Sequence, residues 1–266
     1  MNFFVSRVGD NCMRMNLGAS LYGIVFSLVW ALPAGGHTLK IDTIAVAPFG
    51  FTGADGKPTG MMYEIGNRIA EEAGFKHTND IIPYARTIID LESGAADFVL
   101  RFTNEQLPQI AVQVATVVTM PTIVVGLAGS RYKSLNDLHG KSVGQLRGGK
   151  FDDKFDADSA ITKYEANDYI QIMRMLAAKR LDAGIGSSVG VYYSANSVGI
   201  KPEELGAPLV LSSKDFILHF SKKNADPKTT QALKAAVEKL NKQGEIKKII
   251  NKYMGDYKWS FAGTTK

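Results

Sequence analysis

Asp97 stands six positions after Leu91, and Asp182 stands six positions after Leu176. Each aspartate opens a short apolar run, Phe98-Val99-Leu100 in one copy and Ala183-Gly184-Ile185 in the other. Each leucine ends a stretch with helical spacing. In the first copy Gly94 stops the helix, and Pro83-Tyr84 sets an aromatic at the end of the preceding strand. A helix leading into a buried strand, twice over, predicts an α/β fold of two lobes. Ligands of such folds commonly sit in the crevice outside the carboxyl ends of the strands.

The rest of the chain fits between and around these two units. Thr38 to Val46 alternates apolar and polar residues and reads as the first strand. Met62, Ile65, Ile69 and Ala73 recur at helical spacing, with Gly74 as the stop, and Lys76 to Ile82 is the next strand. Val112 to Thr119 is β-branched until Met120-Pro121, expected to break the strand and form a first crossing between lobes. Ser142 to Leu146 is a strand of the second lobe, and Asn167 is placed to cap a helix. Ser212-Ser213-Lys214, between strands Leu209–Leu211 and Phe216–Phe220, is the expected second crossing. Asp226-Pro227 starts a final helical region. The expected division is 1–36, 37–121, 122–212 and 213–266.

With these motifs in order, the chain resembles the extracytoplasmic solute-binding proteins of the amino-acid type (bacterial solute-binding protein family 3), which feed ABC importers. The family's pattern is matched by Ala47-Pro48-Phe49, Gly60, the helix from Met61, Tyr84, and Leu91 to Asp97, and by a C-terminal helix ending in Lys252-Tyr253. The resemblance implies a periplasmic-binding-protein-like (type II) fold, two α/β lobes joined by two hinge crossings. It also implies capture of a small solute by lobe closure and delivery to an ABC permease.

Residues 1–36 agree with export. Arg14 precedes an uncharged run whose core is Leu21 to Trp30, ending in the small-residue exit Ala31-Leu32-Pro33-Ala34-Gly35-Gly36. That pattern is a cleaved signal peptide, with Met1, Met13 or Met15 as the start, and it predicts a periplasmic protein. Cys12 is the single cysteine and lies in this segment, so the mature chain has no thiol chemistry. Two of 31 basic and one of 26 acidic residues precede residue 37, leaving a mild 29 against 25. No basic stripe with interleaved aromatics occurs, so nucleic acid is not an expected partner. His37, His77, His139 and His219 are scattered, so neither a metal nor another cofactor is expected, and the chain reads as a monomer.

The resemblance places Tyr84 as the aromatic that stacks on the ligand, with Phe49 in the loop after the first strand. Arg101 ends an apolar strand and must keep its guanidinium wet or paired; in a crevice it offers a planar fork to a carboxylate or phosphate. Arg86 is a neighbouring candidate. The second lobe offers Arg147-Gly148-Gly149-Lys150, whose glycines let the backbone approach a ligand and whose following helix presents free amides. The chain departs from the family at two places. Gln106 stands where an arginine grips the α-carboxylate, and Ser187 stands where an aspartate pairs with the α-ammonium. The expected ligand is therefore not a standard α-amino acid; Arg101, Arg147 and Lys150 suit an anionic one such as an organic acid, and a neutral one is the alternative if those charges point outward.

Enzyme readings compete with binding. Gly186-Ser187-Ser188-Val189-Gly190 matches a nucleophile elbow, with Asp215 and His219 following in hydrolase order. Those two lie four apart in one expected strand, roughly 13 Å, too far for a triad. A dehydratase on this fold would need a cleft carboxylate such as Glu64, Glu105, Asp152 or Asp153, and nothing in the sequence marks one. A sensor role is the remaining alternative to transport. The expectation is a binding protein, not an enzyme.

Overall fold

The structure is a computed structural model describing residues 38–257. The expected signal peptide, with Cys12 and the alternative starts, lies outside the described residues, as does His37. The elements run β1 (Leu39–Ile44), a hairpin of β2 (Phe51–Thr52) and β3 (Pro58–Thr59), α1 (Met61–Glu72), β4 (His77–Ile82), α2 (Arg86–Ser93), β5 (Phe98–Phe102) and α3 (Leu107–Ile110). Then come β6 (Ala111–Val125), β7 (Ser142–Leu146), α4 (Asp153–Ala157), β8 (Thr162–Ala166), α5 (Tyr169–Ala177), β9 (Ala183–Ser187) and α6 (Ser188–Ser197). The chain returns through β10 (Leu209–Ser221) to α7 (Pro227–Lys242) and α8 (Glu245–Met254).

One eight-stranded sheet carries everything, in the order β4-β1-β5-β10-β6-β9-β7-β8. β1, β4 and β5 pair in parallel, as do β7, β8 and β9, so each half is the helix-then-strand unit foreseen from the leucine-aspartate echo. The halves are joined by β6 and β10, antiparallel neighbours. β10 pairs with β5 only from Phe216 onward, and β6 pairs with β9 only from Thr122 onward. Between these points, at Thr119–Pro121 and Ser213–Asp215, the sheet is two strands wide.

This waist corrects two expectations. Met120-Pro121 does not break the strand, and Ser212-Ser213-Lys214 does not separate two strands; β6 and β10 run through both. At Pro121 the side of β6 later taken by β9 is still unpaired, the setting in which a strand tolerates proline. The β6–β10 ladder shifts register between Val210 and Ser212.

Helix ends follow their chemistry. Gly94 closes α2 in the left-handed region (φ 80°), and the Asp226 carboxylate accepts the Thr229 amide at the start of α7. α5 is capped by Asp168, not Asn167: the Asp168 carboxylate accepts the Gln171 amide at 2.7 Å. Met61, Met62, Ile65 and Ile69 of α1 bury against the sheet together with α7 and α8. Each such side chain stabilises the fold by roughly 1.5–3 kcal/mol. On the other face of the first half, Ile88, Leu91 and Leu107 of α2 and α3 cover Val99. No helix among the described residues is long and apolar enough to cross a membrane.

Candidate functional site

The carboxyl ends of β1, β4 and β5 meet at one edge of the first half. After β1 the chain turns through a cis Ala47–Pro48 bond. The Pro48 and Phe49 carbonyls accept the first amides of α1, from Met61 at 2.8 Å and Met62 at 2.9 Å. This close approach needs Gly60, at φ 131°, where a Cβ would come within 2.5 Å of the Phe49 carbonyl oxygen. Phe49 is buried and stacks on Phe216 at 5.3 Å, while Phe102 meets Phe216 edge-on at 4.5 Å. Phe49 is thus part of an aromatic floor, with Phe102 as its half-buried rim.

Val99 and Arg101 alternate onto the face beneath α2. The Arg101 guanidinium is completely buried and lies 4.2 Å from the centre of the Tyr84 ring, which is itself 51% exposed. Its Nη1 donates to Thr87 Oγ1 and, at 3.4 Å, to the Tyr84 carbonyl. Nε and Nη2 meet no acceptor. Burial lowers the Arg101 pKa below the ordinary arginine value. Tyr84 is therefore a ring with a cation under one face and its other side toward solvent. Arg86 is committed elsewhere, in an exposed i,i+4 ion pair with Asp90 at 2.8 Å.

Two further ionisable groups sit on this face. Asp42 is opposite Val99 in register, and His219 is opposite Val99 on the other side. Burial, with Asp90 and Asp80 nearby, pushes the Asp42 carboxyl up to about 7, against the pull of Arg86. Burial and the Arg101 charge push His219 down to about 4. Sequence reasoning missed Asp42 and Thr87, because only the pairing of β1 with β5 and the docking of α2 reveal their surroundings.

In the second half the loop after β7 is pinned rather than open. Lys214, at the waist, donates from Nζ to the Lys150 carbonyl at 2.8 Å. The α4 amides are not free as expected: Asp152 accepts those of Lys154 and Phe155, and Asp156 accepts that of Phe151. Gly148 holds a positive φ of 67°, whereas a Cβ at Gly149 would strike the Phe151 ring at 2.6 Å. Gly149 thus makes room for Phe151. Arg147 and Lys150 are exposed. Lys214 is two residues from Phe216, roughly 7 Å along the strand, so this loop and the aromatic floor flank the same crossing.

Ser187 pairs with Thr122 of β6 and caps α6, its Oγ accepting the Gly190 amide at 3.3 Å. The Tyr169 ring fills the space beside Gly186 and Gly190. Ser188 Oγ is buried without a partner, Asp215 accepts from Thr119 Oγ1, and His219 is buried beneath α2. These three belong to different surroundings, and no triad forms. Gln106 is exposed, its backbone N–H donating to Asn104 Oδ1. Tyr84, Arg86 and Arg101 thus cluster in the first half, Arg147 to Lys150 gather by the waist, and Ser187 lies beside β6. Among the described residues no hydrogen bond or ion pair joins the three groups.

Known proteins share this fold. The probable amino-acid-binding protein YxeM of Bacillus subtilis (strain 168) is 23% identical over 215 residues, 79% of this chain and 80% of that protein. An ancestral arginine-binding protein solved with arginine superposes with a TM-score of 0.65 at 21% identity, over 82% of this chain and 98% of that one. The L-cystine solute receptor of Neisseria gonorrhoeae, in its unliganded open form, gives 0.64 at 19% identity over 82% and 92%. At such identities the structural likeness speaks to the fold, which is that of type II periplasmic binding proteins. Residues 39–256 match the family described as bacterial extracellular solute-binding proteins, family 3. This is a family of binding proteins, not of enzymes, and the chain belongs to it.

Proposed function

We propose that the chain captures a small solute bearing an anionic group and hands it to an ABC permease. The lobes, 37–121 with 213–266 and 122–212, close over the solute about the two-stranded waist. The observation that carries the reading is Arg101: a fully buried cation with two nitrogens lacking acceptors, under a half-exposed aromatic ring at the crevice edge. A carboxylate, sulfonate or phosphate reaching it would meet the planar fork such groups prefer. Tyr84 would stack on the solute's body. Arg147, Lys150 and the Gly148-Gly149 backbone would approach from the other lobe, with Ser187 at its edge. Export through a signal peptide, a periplasmic location and a monomeric state accompany this reading.

A second reading has its own support. The relatives' names specify amino acids, and an amino acid also carries a carboxylate. Thermal-shift screening of the mature chain separates the two. Organic acids, sulfonates and phosphorylated metabolites are expected to raise the melting temperature where standard amino acids do not. Hits confined to standard amino acids would overturn the anionic reading and leave the capture role standing.

A further inference from the structure

We propose that the second half carries another binding site, away from the crevice, for a small, doubly charged oxyanion of the phosphate type. A recess of ≈470 Å³ is lined by Ser130, Arg131, Tyr132, Lys141, Lys179 and Asp182, among others. Lys141 immediately precedes β7 and Asp182 immediately precedes β9, so the recess opens at the amino ends of these strands. Arg147 lies six residues beyond Lys141, at the opposite end of β7, roughly 20 Å away.

The charges in the recess do not cancel. The Asp182 carboxylate is already engaged: Oδ2 accepts the Ser142 amide at 2.8 Å and hydroxyl at 2.9 Å, and Oδ1 lies 3.7 Å from Lys141 Nζ. The Ser142 amide is the main cause holding its pKa below the usual carboxylate value, so it stays ionised and serves Lys141. Arg131 and Lys179 form no ion pair among the described residues. The Tyr132 hydroxyl donates to the Asp182 carbonyl at 3.0 Å, which fixes its ring as a wall.

Lys179 is the decisive residue. It is the one non-glycine with positive φ, 56°, among the described residues. The internal echo shows what the backbone wants there. Gly94 stands three residues after Leu91, as Lys179 does after Leu176, and each donates its amide to that leucine's carbonyl, at 3.3 and 2.9 Å. The first copy satisfies the left-handed turn with glycine; the second holds a lysine at a cost of about 1 kcal/mol. Lys179, exposed, lines a recess with Arg131, also exposed and without an ion-pair partner among the described residues. Two unmatched cations suit a dianion, and the volume admits a phosphate with a small organic body.

The test is isothermal titration of the mature chain with inorganic phosphate and with glycerol 3-phosphate, at ionic strength held constant with chloride. One site per chain that depends on the recess is expected, apart from any at the crevice, and Arg131→Gln or Lys179→Gly should each weaken it at least tenfold. Lys179→Gly should do so while leaving the unliganded melting temperature equal or higher, because glycine suits the turn. Lys234→Gln, at an exposed lysine of α7, should bind phosphate like the parent chain. Absence of binding, binding by either recess variant as tight as by the parent chain, or a tenfold loss in Lys234→Gln would overturn the proposal. Vesicles containing phosphatidic acid form a second arm. Sedimentation abolished by both recess variants supports the site with a lipid phosphate as its source; sedimentation unaffected by them counts against it.

Discussion

Replacing Arg101 with methionine should stabilise the empty protein and cripple binding. The side chain is completely buried, and Nε and Nη2 meet no acceptor. Each unmet donor costs about 1–3 kcal/mol, so the two together oppose folding by about 2–6 kcal/mol. Against this stand one charged hydrogen bond to Thr87, about 1.5–3 kcal/mol, and the contact with the Tyr84 ring, about 0.5–2 kcal/mol. Thr87 is not orphaned by the change, because its hydroxyl also donates to the Tyr84 carbonyl at 2.8 Å. Methionine fills most of the space with a flexible apolar chain. At the midpoints of these ranges, about 4 against about 3.5 kcal/mol, the balance favours the variant by about 0.5 kcal/mol, or about 1–2 °C in melting temperature for a chain of this size. Paired thermal-unfolding scans, with and without an anionic hit, read both quantities. The expected outcome is a higher unliganded midpoint and a ligand-induced shift reduced to near zero. A lower midpoint with the shift intact would refute the reasoning and make Arg101 a structural cation.

Other perturbations test separate parts of the structure. The Asp42 carboxyl, raised to about 7, gives stability that is full below its unfolded value near 3.8 and lost as pH rises through 7. His219, lowered to about 4, does the reverse: the unfolded chain binds its proton first, so stability falls as pH drops from 6.5 toward 4. Asp42→Asn should therefore raise stability at pH 8 by about 2–4 kcal/mol, leave pH 3.5 unchanged, and expose the His219 slope in urea melts; equal effects at both pH values would exclude this. Gly186→Ala should cost about 1–3 kcal/mol or more in denaturant melts, since its Cβ would come within 2.2 Å of the Tyr169 ring. Tyr253→Phe should cost about 1–3 kcal/mol, because its hydroxyl meets the Gly60 amide, Thr59 and Glu64 beside the first turn of α1.

What could be read from the sequence was what the chain decides locally. The leucine-to-aspartate spacing, the glycine at position 94 and the Asp226-Pro227 start depend on neighbours within one turn, and the structure keeps all three. Arg101 could be placed at the end of β5, but its burial could not, because the residues that cover it arrive from α2. Gly149 was legible as a glycine that matters and illegible in its reason, since the ring it accommodates belongs to Phe151, buried by packing with Phe155 and Ile185. Pro121 misled for a similar cause. Proline excludes a fully paired position, and whether a strand is paired on both sides at a given residue depends on β9, more than 60 residues later.

The corrected crossing makes a stronger hinge than the one expected. Two separate broken strands would bend independently and let the halves slide. β6 and β10 instead hydrogen-bond to each other through the waist, with Pro121 opposite Ser213 and Met120 opposite Lys214. A two-stranded ribbon twists readily but resists shear, because sliding one strand would break its ladder. The motion it permits is rotation of one half against the other about a fixed line. The same short segment holds the Lys150 carbonyl through Lys214 and ends at the aromatic floor of Phe216. In the proposed closure, rotation about this waist would change the gap between the Arg101–Tyr84 edge and the Arg147 loop while each wall keeps its own packing.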